Sequence, residues 1–198
     1  MLKRLRHDAA ASPTPERRLH IGGQVRKDGW EVLNAVAGPA VDHLGEAQDL
    51  SRFPDACFEE IYASHCLEHL DFRGEIEAAL REWHRVLVPG GRIFVSVPDL
   101  SALARLILRP GLTVNDRLSI MKMVFGAHVD AYDYHKVGFD FELLCYFLED
   151  AGFVGIVRVD DFGLFEDYST LISGGIPISV NVIARCPPMV NRRDAGHG

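Results

Sequence analysis

The chain has 198 residues, of which 47% are hydrophobic and 25% charged. That composition describes one ordinary globular domain and excludes a disordered chain, a collagen and a coiled-coil rod. Asp and Glu number 28 against 21 Lys and Arg, a formal charge of -7, so the chain is a poor general ligand for nucleic acid.

Residues 1–17 hold the run Ala9-Ala10-Ala11-Ser12-Pro13-Thr14-Pro15 and no apolar period, as in a flexible arm. Lys3, Arg4 and Arg6 are followed by no apolar core, so a secretory signal is not expected. The folded domain should span 18–186, with 187–198 a flexible tail. Short apolar runs predict strands at 18–21 and 30–34, a weak one at 40–42, and better ones at 60–64 and 92–97. The last is nearly continuous in apolar residues, as in a strand covered on both faces. Between these two, Leu67, Leu70, Ile76, Leu80, Trp83 and Leu87 recur at helical steps and stop at Pro89-Gly90-Gly91. Further helices are expected after Pro98-Asp99, between 115 and 125, and over 141–151. Strands at 155–159 and 178–184 close the chain.

This order predicts an α/β fold: a single-domain sandwich with a mostly parallel sheet and a C-terminal antiparallel hairpin. Ligands of such sheets sit beyond the carboxyl ends of the strands. Gly22-Gly23, Asn34, Ser64-His65 and Pro98-Asp99 fall on that rim. Only eight residues separate the first two strands, fewer than the dozen or so a crossover helix needs. The first helix is therefore missing or shortened. No apolar run approaches the roughly 20 residues of a membrane span. Cys57, Cys66, Cys145 and Cys186 form no Cys-x-x-Cys pair and read as reduced thiols of a cytoplasmic protein.

Four rim segments together resemble the class I S-adenosylmethionine-dependent methyltransferases, whose sandwich is Rossmann-like. Leu19-His20-Ile21-Gly22-Gly23 is similar to the first, glycine-bearing motif. Asp49-Leu50 falls where the family meets the adenine. Ser64-His65-Cys66-Leu67-Glu68-His69-Leu70 resembles the fourth-strand motif, and Arg85 to Arg92 the helix-turn-strand after it. The resemblance implies S-adenosylmethionine as cofactor, held by Ile21, Gly22, Gly23, Asn34, Asp49, Leu50, Ser64 and His65. Asn34 stands where the family carries an acid for the ribose hydroxyls. Asn offers one uncharged acceptor oxygen there, so weaker binding or help from Asp42 is expected. Gly29-Trp30, Tyr134-His135-Lys136 and Ala151-Gly152-Phe153 are similar to short methyltransferases associated with bacterial surface-polysaccharide genes.

The loop 126–138 is dense in His, Asp and Tyr. Methylating an ordinary hydroxyl needs a base, and histidine is poised for it near neutral pH. His135 is the first candidate and His128 the second. The acceptor implied is a small molecule or a glycan hydroxyl. The Pro-Pro-aromatic motif of nucleic-acid amino methylation is absent after the fourth strand. Two other readings stand beside this one. A clipped first turn and Asn34 also suit a non-catalytic binding or scaffold module. His65 to His69 also fits H-x-x-E-H, a zinc signature, yet no third ligand motif follows, and no metal is expected. Glu68 and His69 either line the rim or cap the long helix. The loop 162–170 either covers the pocket or joins the last two strands.

Overall fold

The computed structural model describes residues 16–189. Strands β1 (Arg18–Ile21), β2 (Trp30–Asn34), β3 (His43–Leu44) and β4 (Phe58–Ser64) come first, with no α-helix between them. Helix α1 (Glu75–Val86), strand β5 (Leu87–Pro98), helices α2 (Leu100–Ile107), α3 (Val114–Phe125) and α4 (Phe141–Asp150), then β6 (Val154–Val159) follow. A small hairpin, β7 (Ile172–Ser173) with β8 (Ile176–Pro177), precedes the last strand, β9 (Ser179–Arg185).

Seven strands form one sheet in the order β3-β2-β1-β4-β5-β9-β6. The sheet is parallel except for β9, which runs antiparallel to both its neighbours. The expected mostly parallel sheet with a late antiparallel hairpin is what forms. The missing first helix is also real: residues 22–29 cross from β1 to β2 as a turn, closed by Gly22 N–H on Leu33 O (2.8 Å) and Trp30 N–H on Lys27 O (3.0 Å).

Alternation along the strands sends Leu19, Ile21, Ile61, Ala63, Ile93 and Val95 to one face. There Ile76, Leu80 and Trp83 of α1 and Leu144, Phe147 and Leu148 of α4 complete the main core. The other face carries Trp30, Tyr62 and Phe94. Among the described residues it is covered by no α-helix but by Phe162, Leu164 and Phe165 of the segment between β6 and β9.

Three boundaries differ from the sequence reading. The helix expected from Leu67 is a short 3-10 turn at Leu67–His69, and α1 starts only at Glu75. Gly74 at φ 118 breaks the run, and the Glu75 carboxylate accepts Asp71 N–H (2.7 Å). The third strand lies at 43–44 and not 40–42, because Asp42 Oδ2 accepts Val32 N–H (2.9 Å) and carries the chain past β2 before pairing begins. Pro89-Gly90-Gly91 ends no element: β5 runs through it. A Cβ on Gly91 would lie 2.8 Å from Val88 O and 3.0 Å from Glu59 O.

Candidate cofactor and acceptor site

Ile21 ends β1 fully buried, and the chain turns at Gly22 with φ 77, a conformation L side chains rarely adopt. A Cβ on Gly22 would occupy the space against Cys66, 3.7 Å from its Cβ. Gly23 has a different reason to be glycine. Its Cβ would lie 2.7 Å from Cγ and Nδ1 of His20. That imidazole is buried under Phe165 and edge-on to Tyr62, with ring centroids at 4.2 and 5.0 Å. Burial pushes its pKa down to about 4, so the ring is neutral.

Asn34 braces this turn. Its Nδ2 donates to Gly23 O (2.9 Å) and Gly22 O (3.2 Å), and its Oδ1 accepts Val36 N–H (2.9 Å). Asp42 is committed as well: Oδ2 to Val32 N–H, and Oδ1 to Arg26 at 3.0 Å. The hydrogen bond from Val32 holds its carboxyl below the usual range.

Further along the rim, Asp49 is exposed. Its Oδ1 accepts Ser51 N–H (3.1 Å), and hydrogen bonding from Ser51 lowers its pKa. Leu50 is fully buried. Arg85 of α1 fixes this segment, donating to Leu50 O and Phe53 O at 3.0 Å each while pairing with Glu82 and Asp55 at 2.7 Å.

At the end of β4, Ser64 Oγ is buried without a hydrogen-bond partner among the described residues. His65 follows at φ 51, uncommon for a residue with a Cβ. Its Nε2 meets Ser179 Oγ at 2.9 Å, and its Nδ1 lies 3.3 Å from Glu68 Oε1. Burial and the charges of Glu68 and Glu46 push the Cys66 thiol up to about 12, so it is no nucleophile. Glu68 is 1% exposed. Burial alone would raise its pKa, but the imidazoles of His65, 3.3 Å away, and His69 lower it. It is a buried carboxylate ringed by histidines.

The loop 126–138 is pinned to this cluster. Lys136 N–H donates to Glu68 O (2.7 Å), and His135 N–H to Phe125 O (3.1 Å). The His135 ring lies edge-on to His69, centroids 4.9 Å apart. Burial lowers its pKa, with Glu68 opposing. A small apolar hollow opens beside it, lined by Leu100, Leu103, Met123, Val124 and Val137, with His135 its only titratable side chain. His128 stands apart. It is exposed at φ 57, stacked on Tyr134 at 4.0 Å, with its Nε2 2.8 Å from Phe125 O.

The H-x-x-E-H pairing does not converge, since His65 is turned to Ser179. Glu68, His69 and His135 do have donor atoms within 4.8 Å of one another. His69 Nδ1 also faces Tyr134 O at 3.3 Å.

The structure thus brings Gly22, Ser64, His65 and His135 to one rim and leaves His128 outside. Sequence reasoning missed Ser179 and the loop-pinning role of Glu68. Ser179 stands 114 positions from His65 and no motif marks it. A glutamate in a run otherwise read as cofactor rim was the available signal for Glu68.

The sheet order, with its one antiparallel strand between β5 and β6, defines the class I methyltransferase fold. Solved structures share it at low identity. An S-adenosylmethionine-dependent methyltransferase from Archaeoglobus fulgidus is 17% identical, with a TM-score of 0.55 over 86% of each chain. The 1,6-didemethyltoxoflavin-N1-methyltransferase of Burkholderia thailandensis, solved with its substrate and S-adenosylhomocysteine, is 16% identical. Its TM-score is 0.52, over 87% of this chain and 72% of that one. A possible exported protein of Bordetella parapertussis is 14% identical, with a TM-score of 0.53 over 87% of this chain; the chain spans only 62% of its length. No curated protein matches the sequence.

Residues 28–95 match the family model of the methyltransferase domain. Residues 28–95 thus resemble a methyltransferase domain, and the chain shares the fold of S-adenosylmethionine-dependent methyltransferases. The rim fits that cofactor: Gly22 leaves side-chain-free space against Cys66, and Ser64 offers an unpartnered buried hydroxyl.

Proposed function

We propose that this protein moves the methyl group of S-adenosylmethionine to a hydroxyl of a small molecule or of a sugar, in keeping with the likeness to surface-polysaccharide methyltransferases. The observation that best supports the reading is the bond from Lys136 N–H to Glu68 O, which pins the loop carrying His135 and its apolar hollow beside Glu68.

S-adenosylmethionine supplies an electrophilic methyl on a sulfonium. Ile21, Gly22 and Gly23 present backbone to it, with Ser64 and His65 across the groove. Asp49 and Leu50 receive the adenine, and Asn34 keeps the turn in shape. An acceptor hydroxyl at the hollow would give its proton to His135 as its oxygen takes the methyl, the sulfur–methyl bond breaking so that S-adenosylhomocysteine leaves. The imidazolium so formed is stabilised by Glu68, whose charge already acts to raise the His135 pKa. Four free thiols agree with a cytoplasmic place of action. No helix among the described residues is long and apolar enough to cross a membrane.

Calorimetry with S-adenosylhomocysteine tests the reading. Heat of binding below millimolar concentration, with transfer of labelled methyl to a glycan or small hydroxyl acceptor, supports it. The absence of any binding favours the second reading, a non-catalytic module. That reading has its own support, since the side-chain polar atoms of Asn34, at the end of β2, and of Asp42, just before β3, are already engaged inside the protein.

A further inference from the structure

Helix α3 buries Ile120 and half-buries Met123 and Val124 against α2 and the hollow. Its opposite side is also apolar. Val114, Leu118, Met121 and Phe125 are 73%, 45%, 47% and 57% exposed. At about 100° per residue, these four fall within a sector of about 60°. Arg117 flanks the stripe on one side and Lys122 on the other. Leu108, at the end of α2 beside this helix, is 81% exposed.

The charge along α2 and α3 is one-sided, with Asp130 and Asp133 in the loop beyond Phe125. Residues 100–125 hold Arg105, Arg109, Arg117 and Lys122 but only one acid, Asp116, within a chain of net charge -7. Asp116 is occupied in the capping box with Thr113. Arg109 and Arg117 donate to backbone carbonyls, of Gly174 and Ile107.

We propose that the outer face of α3 docks on an anionic lipid surface, lying in its plane. An apolar stripe flanked by cations is the arrangement that enters a headgroup layer while its basic side chains stay with the phosphates. A second copy of this chain fits less well. Any two-fold pairing of the stripe sets Arg117 and Lys122 of one copy against the same cations of the other. The stripe meets the site at Phe125, whose carbonyl accepts His135 N–H, so the substitutions that test the proposal are placed elsewhere on the helix.

Co-sedimentation of the full chain with vesicles tests it, comparing phosphatidylcholine alone with phosphatidylcholine carrying about a third phosphatidylglycerol. Binding is expected only on the anionic vesicles and weakens with salt. Each of R117Q and K122Q lowers the partition about fivefold, and L118E/M121E abolishes it. All four side chains are on the surface, so the far-ultraviolet circular dichroism of the variants should match the parent. Equal partition onto both vesicle types, or onto neither, overturns the proposal. So does sedimentation equilibrium showing a dimer that L118E/M121E dissociates, which would make the stripe an interface between copies.

Discussion

At the residue scale, the contest is over what Asn34 does. The sequence places it at the end of the second strand, where an acid would serve a ribose, and that placement was legible from Gly29-Trp30. What it does there was not, because its amide reaches carbonyls 11 and 12 positions back. Asn34→Asp should therefore weaken the turn. A carboxylate cannot donate to Gly22 O and Gly23 O, and two carbonyls would face a negative charge. The expected loss is about 1–3 kcal/mol of stability, read from urea midpoints, with no gain in S-adenosylhomocysteine affinity. Tighter binding by the variant would show that the side chain turns outward. His20 yields a pH prediction. Its folded pKa of about 4 lies below the ordinary value of 6.5. Its contribution is whole above pH 6.5 and is lost as pH falls toward 4, because the unfolded chain binds the proton first. The loss is on the order of 3 kcal/mol. His20→Phe should flatten stability between these pH values, a slope that urea titrations at pH 7 and 4.5 measure directly.

At the element scale, the notable fact is a sheet face without an α-helix among the described residues. The short β1–β2 connection was readable by counting residues. Its consequence was not, since the cover comes from 160–171, a segment with neither helical nor strand period. Hydrogen bonds hold it down. Tyr62 Oη donates to Asp167 Oδ2 (2.7 Å), and Asn181 Nδ2 donates to Asp160 O (3.0 Å) and Ser169 O (2.9 Å). Lys27 Nζ reaches Leu164 O from the clipped turn itself. The segment thus packs over the ground the first helix leaves open and bears on the Gly22-Gly23 turn through His20. Phe165→Ala removes the ring that covers His20, Trp30 and Tyr62. It should cost about 2–4 kcal/mol and speed amide exchange in both 160–171 and 22–29. Faster exchange in 160–171 alone would mean that the two segments are not coupled.

At the scale of the whole molecule, the chemistry collects at one end of the sheet. Gly22, Ser64, His65, Glu68 and His135 come from positions spread over more than half the chain, and the parallel strands bring them together. The motif order made that gathering legible, whereas the choice between His135 and His128 was not. Both lie in one polar loop, seven positions apart, and only packing separates them: one faces the hollow, the other stacks on Tyr134 in solvent. The two histidines should therefore behave oppositely. His135→Asn is expected to lower kcat for methyl transfer by about 10²–10⁴ while leaving the affinity for S-adenosylhomocysteine as it was, since the ring faces the acceptor hollow. The rising limb of the parent's pH–rate profile, set by loss of the imidazole proton, should vanish in that variant. It should fall below the ordinary histidine pKa, because burial lowers the His135 value. His128→Asn should keep both the rate and the limb. If His128→Asn removes the limb and His135→Asn does not, the loop must rearrange when the acceptor binds. If neither does, the base lies elsewhere on the rim, and His65, turned between Ser179 and Glu68, is the next residue to replace.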